Sequence, residues 1–274
     1  MGTNNTQVAI FYVHGTANSP ENNTSDYIAA TKSPYNAVYG NNNVRTDNTF
    51  DWTTQSSLTN QNTGRAEAAS NLVTHVDNYI STGIANGTID VNKPLKIVLN
   101  GFSHGGNVNL QAAPEIARIQ AKYDIKTMSI DLNGYNTPQY YNNVGNTIAG
   151  NNNPEDPAVV NGKVKRNSGN NVKLNHNSFY TKNDGVGGNG VNIGGRIIPS
   201  ASVGGRYPRN GITNNFELTA PNTNNLNPID VHGSPISDIS TRKQAAGKLH
   251  SVLINQKTKE DRAQGTMLAP SIGR

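Results

Sequence analysis

The chain has 274 residues, enough for one substantial domain, and residues 1–274 read as a single unit with a loose polar end from about 256. Apolar residues make up 34% and charged residues only 15%, so the core must be concentrated in a few elements joined by long loops rich in Asn, Gly, Ser and Thr. The formal charge of +5 comes without aromatic-interleaved basic patches: the one dense basic run, Lys163-Val164-Lys165-Arg166, reads as a solvated loop, which argues against nucleic acid as a partner.

Cysteine is absent, which excludes disulfides, thiolate catalysis and cysteine-ligated zinc. Neither a signal peptide nor an apolar run of roughly 20 residues is visible. The expectation is a soluble protein, cytoplasmic or exported by a signal-independent route.

In chain order, residues 8–13 form a β-branched and aromatic run ending at His14-Gly15-Thr16, the pattern of a buried strand feeding a tight loop. A polar excursion follows to about residue 62 and holds the single tryptophan, in Phe50-Asp51-Trp52. Ala69, Leu72, Val73, Val76 and Ile80 recur at helical spacing, so residues 65–80 are expected to form an amphipathic helix. Residues 95–99 read as a strand, and Val108, Ala112, Ile116 and Ile119 mark a helix that Pro114 should kink or divide. Residues 125–132 read as a third strand. Strands alternating with helices predict an α/β architecture with a mainly parallel sheet and helices on both faces.

Beyond Asn133 the pattern weakens. Residues 134–175 read as loop, 176–180 and 216–218 as strands, and 241–254 as a helix with Ala245, Leu249 and Leu253 inward.

The segment Gly101-Phe102-Ser103-His104-Gly105 fits G-x-S-x-G, and it joins an apolar strand directly to a helix. At such a turn a serine hydroxyl projects above the sheet, and glycines are required where a Cβ would strike the neighbouring strand and helix. Ser103 is therefore the candidate nucleophile. An acyl transfer needs two donors for its oxyanion: the N–H of His104 is the expected first, and the N–H of Thr16 the second.

The order Ser, acid, His sets the search for partners. Asp184, after the 176–180 strand, is the preferred acid and Asp131 the runner-up, with Asp156, Asp230 and Asp238 in loops. His232, in a polar loop before the last helix, is the preferred base. His250 lies within that helix, and His176 precedes Asp184 and breaks the order. His104 reads as a pocket or surface residue with its side chain turned away from Ser103. The run Gly185-Val186-Gly187-Gly188-Asn189-Gly190 fits G-x-G-x-x-G, but neither an amphipathic helix nor a suitably spaced acid follows, so no dinucleotide site is expected. No cofactor or metal is implied.

On Val13-His14-Gly15-Thr16, Phe50-Asp51-Trp52 with Gly64-Arg65, and Gly101-Phe102-Ser103-His104-Gly105-Gly106-Asn107, the chain resembles the bacterial lipase-like α/β-hydrolases. Phe179-Tyr180 leading to Asp184, and Asp230-Val231-His232, look like that family's later triad elements. The resemblance implies a serine esterase, lipase or phospholipase acting on an ester or lipid, with transient contact at a membrane surface. A related group consists of phospholipase toxins delivered between bacteria by contact-dependent secretion, which is one alternative role. A non-catalytic binding protein on the same fold is the alternative of another class.

Overall fold

The computed structural model describes residues 6–15, 19–55, 61–137, 159–160, 163–164, 172–181, 191–193, 196–198, 214–220 and 228–263. Thr16, Asp156, Asp184 and the glycine run 185–190 lie outside the described residues.

Six strands form one sheet: β1 (Gln7–Val13), β2 (Val44–Asp47), β3 (Leu95–Phe102), β4 (Met128–Tyr135), β7 (Lys173–Thr181) and β10 (Asn214–Leu218). Their spatial order is β10-β7-β4-β3-β1-β2, and every neighbouring pair is parallel. Two short antiparallel hairpins stand apart from it: β5 (Val159–Val160) with β6 (Lys163–Val164), and β8 (Val191–Ile193) with β9 (Arg196–Ile198). Lys163 and Val164 are thus paired backbone where a solvated loop was expected.

Parallel strands bury both faces, and here helices cover each. On one face α2 (Gln61–Ala85), α3 (His104–Ile116) and the short α4 (Ile119–Lys122) place Leu72, Val76, Ile80, Val108, Ile116 and their neighbours on Phe11, Ile97, Leu99 and Ile130. On the other, α1 (Ser25–Tyr39), α5 (Pro228–Ser237) and α6 (Ile239–Ala263) pack on Ile10, Tyr12, Val98, Phe102 and Phe179. The result is an α/β fold with a parallel sheet covered by helices on both faces, as expected. Pro114 lies inside α3, which ends two residues later, and the chain resumes as α4.

Several boundaries and one whole element depart from the expectation. The segment read as a polar excursion contains α1, whose buried face is Tyr27, Thr31, Pro34, Tyr35 and Tyr39. Those positions recur at helical spacing, but none is aliphatic, so hydrophobic periodicity passes over them. The helix ends were also written in the sequence. Thr24 accepts a hydrogen bond from the Tyr27 N–H, and Gly40 terminates the helix at φ 86°. His232 lies in helix α5, where a loop was expected. The C-terminal segment from 256 is helical through residue 263, because Gln256 and Glu260 bring it back onto the sheet.

That return builds a buried polar layer under the α1–α6 face. Asn100, Asn133, Asn177 and Asn214 stand in register on four adjacent strands. Each amide donates to the next oxygen: Asn214 to Asn177 at 2.8 Å, Asn177 to Asn133 at 2.8 Å, Asn133 to Asn100 at 2.9 Å. One level below, Asp131 accepts from Asn175 at 2.7 Å and Lys96 at 3.3 Å, and Tyr35 joins both levels by donating to Asp131 and accepting from Asn133. Lys96 is fully buried and also meets Glu260 at 3.3 Å. Buried polar atoms are tolerated here because most of them satisfy one another, Asn100 Nδ2 at the end of the row being the exception.

Candidate active site

The end of β3 fixes the geometry. Ser103 follows Phe102 directly, sits at φ 51° and ψ −131°, and caps α3. A non-glycine residue in that region is strained, at a cost of about 1–3 kcal/mol, and persists only where the surroundings hold it. Here they do. The Ser103 N–H donates to the Tyr135 carbonyl on β4 at 2.9 Å, and the Ser103 carbonyl accepts from the Gly106 N–H at 3.0 Å. A Cβ on Gly101 would lie 2.5 Å from the Gly106 nitrogen, and one on Gly105 would lie 2.2 Å from the Val13 carbonyl oxygen and 2.5 Å from that of His14. These are backbone atoms, which cannot step aside. The two glycines let α3 start directly against β3 and the end of β1.

The first turn of α3 carries His104, which is buried, so a surface position for it is corrected. Its Nδ1 lies 3.4 Å from Arg65 Nη1 and 3.3 Å from Asn107 Nδ2. Both partners are donors, so Nδ1 accepts, which leaves the proton on Nε2. Arg65 is itself buried on α2, close to the turn, and sequence reasoning assigned it no role there. The Gly64-Arg65 pair quoted in the resemblance was the one signal pointing to it.

His14, at the end of β1, is 1% exposed and holds the loop over this region. Its ring stacks on Trp52 with centroids 5.5 Å apart, and its carbonyl accepts from the Trp52 indole N–H at 2.8 Å. Its Nδ1 lies 2.9 Å from the Gly15 carbonyl, and its Nε2 lies 3.2 Å from both the Trp52 N–H and Asp51 Oδ1. The His14 and Phe50-Asp51-Trp52 segments, far apart in sequence, are therefore one packed unit. Hydrogen bonds from Thr53, and then His14, hold the Asp51 carboxyl below the usual range.

On the other side of the turn stands His232. Its ring centroid lies 5.1 Å from that of Phe102, with the planes inclined at 45°. Its carbonyl accepts a 2.8 Å hydrogen bond from Asn136 Nδ2. The remaining histidines are elsewhere. His176 lies in register with Leu132 and Leu99, four residues before Ser103 on the strand. His250 lies midway along α6, which descends from Thr241, near the end of β10, to Glu260 beside Lys96.

Among the acids, Asp131 is fully buried in the ion pair with Lys96, four residues below the Tyr135 level of β4. That commits it to the polar layer and removes it from the rim. Asp238 bonds the Thr241 N–H at 2.7 Å and caps α6. Thr181, the last residue of β7, is held by Asn136, and Asp184 follows three residues on. Asn136 belongs to the site by position, yet it fell in a stretch read as loop.

Among the described residues no group of three or more His, Asp or Glu side chains is arranged to hold a metal, and no helix is long and apolar enough to cross a membrane.

No family model and no curated protein sequence matches the chain. Among solved structures it is similar to phospholipase PlaB from Legionella pneumophila in complex with thio-NAD, at 12% identity and a TM-score of 0.38. That likeness covers 94% of this chain and 64% of PlaB, so the chain spans under two thirds of its neighbour. At such distance the chemistry must be argued from the residues themselves.

Proposed function

We propose that the protein is a serine hydrolase that cleaves carboxylic esters, of lipid or phospholipid acyl type, through an acyl-enzyme. The observation that carries this reading is the backbone of Ser103: a strained serine at a strand-to-helix turn, with Gly101 and Gly105 standing where any Cβ would strike backbone. Strain of this kind gathers at functional sites, where it aims a side chain that relaxed backbone would not.

In this reading Ser103 Oγ attacks the ester carbonyl carbon while His232 takes the hydroxyl proton. The tetrahedral intermediate collapses, the C–O bond to the leaving alcohol breaks, and His232 returns the proton to that alcohol. Water, deprotonated by the same imidazole, then attacks the acyl-enzyme and frees Ser103. Asp184 orients His232 and stabilises its charged form. The N–H groups of His104 and Thr16 hold the oxyanion. The His104 N–H is suited to this role because the first N–H groups of a helix point out of its N-terminus.

The test is turnover of p-nitrophenyl esters of short and medium chain, together with labelling by a fluorophosphonate. Turnover and labelling that both disappear in Ser103→Ala, with the fold retained, are the expected results. A folded wild-type protein that neither turns over esters nor takes the label at Ser103 would overturn the reading. Release of fatty acid from phospholipid vesicles separates a phospholipase from an esterase of small substrates.

A further inference from the structure

Only three non-glycine residues among the described residues have positive φ: Ser103, Asp124 and Asn136. Asn136 sits at φ 47° immediately after β4, is 1% exposed, and satisfies every polar atom of its side chain. Its Nδ2 donates to the His232 carbonyl at 2.8 Å and to Thr181 Oγ1 at 3.1 Å, while its Oδ1 accepts from the Thr181 N–H at 2.8 Å. Its own N–H donates to the Phe179 carbonyl at 2.8 Å. The residue before it, Tyr135, accepts from the Ser103 N–H. Three chain segments that are remote in sequence therefore meet at Asn136 and the peptide bond before it: the Ser103 turn on the Tyr135 carbonyl, and the end of β7 and the helix that carries His232 on the side-chain amide.

We infer that Asn136 is a positioning residue, which sets His232 and the end of β7 against the Ser103 turn. The inference rests on the Ser103–His232 reading above. A shape argument supports the choice of residue type. The left-handed backbone admits Asn far more readily than Leu, Val or Gln, and only a short amide reaches both neighbours from there. Loss of the Nδ2 donors would let the His232 carbonyl, and hence the middle of α5, shift relative to Ser103 without emptying the substrate site. A misplacement of about 1 Å is enough to lower the chemical step about a hundredfold.

The experiment compares wild type, Asn136→Asp and Asn136→Gly. The aspartate keeps the acceptor for the Thr181 N–H and loses the donors, and the glycine keeps the backbone conformation and loses the whole amide. Wild type must first turn over p-nitrophenyl esters and label at Ser103. Failure there overturns the hydrolase reading and says nothing against the contacts of Asn136, so the two failures are distinct. With active wild type, both variants are expected to lose kcat about tenfold to a hundredfold with KM changed less than about threefold. The acidic limb of the kcat/KM pH profile should shift, and the His232 imidazole resonances should move, whereas Thr181→Val, which loses only the hydroxyl and keeps both the Thr181 N–H bond to Asn136 and the bond to the His232 carbonyl, should lose less activity than either Asn136 variant. Folded variants with wild-type kcat and an unmoved pH profile would overturn the inference. So would failure of both variants to fold, which would assign Asn136 to stability alone.

Discussion

The imidazole of His232 rests on the ring of Phe102, centroid to centroid 5.1 Å, and Phe102 is the residue immediately before Ser103. Helix α5 thereby delivers a histidine to the end of β3. Replacing His232 by Asn is expected to lower ester turnover by about a thousandfold or more, while His250→Asn stays close to wild type. Steady-state assays on both variants check this. Equal loss in the two would remove His232 from the role of base.

The strain at Ser103 has a thermodynamic signature. Glycine adopts φ 51° without the steric penalty that serine incurs. Ser103→Gly should therefore raise stability by about 1 kcal/mol while abolishing turnover. Ser103→Ala, still bearing a Cβ, should abolish turnover without that gain. Urea denaturation of the three proteins decides it, and a glycine variant less stable than the alanine one would contradict the account.

Lys96 and Asp131 form a fully buried ion pair at 3.3 Å. Lys96→Met would leave the Asp131 carboxylate in the interior with Tyr35 and Asn175 as donors but no cation, and should cost about 3–5 kcal/mol. Adding Asp131→Asn removes the stranded charge and is expected to restore part of that loss. A double-mutant cycle from chemical denaturation measures the coupling, and strict additivity would mean the two groups act independently.

The tyrosine-rich core sets the alkaline limit. Burial raises the phenol of Tyr12 to about 12 and drives those of Tyr27, Tyr35, Tyr39 and Tyr135 well above their ordinary values. In the unfolded chain these groups titrate near 10, so above about pH 10 the folded state holds more protons than the unfolded one and stability falls as pH rises. Below that pH the contribution is fully present. Phenolate absorbance from these five should emerge together with the loss of circular dichroism between about pH 10 and 12. Their ionisation in a still-folded protein would refute the burial argument.

Read from the sequence alone, the elements around the turn were legible because their signals are local. An aliphatic run before Ser103, a helical stripe after it, and the glycines on either side each depend on residues a few positions apart. The parallel α/β architecture followed from alternation of the same kind. Helix α1 escaped because its buried stripe is made of tyrosine, threonine and proline, whose burial depends on partners such as Tyr12 and Tyr135 elsewhere in the chain. The strands β4 and β7 run beyond their expected bounds to Tyr135 and Thr181, where Asn133 and Asn177 pair across the sheet. Among the acids, charge type and order left Asp131 and Asp184 both open. Strand register then placed Asp131 in the buried layer with Lys96, a relation no spacing rule contains. His232 was singled out by chain order. Its seat against Phe102 and its tether to Asn136 are long-range contacts, made possible only once β4, β7 and α5 converge. Sequence determined which chemistry-bearing residues exist and the local turn that carries Ser103. Tertiary packing decided which of them meet, since hydrogen bonds and ring contacts depend on distances in space that local periodicity does not encode.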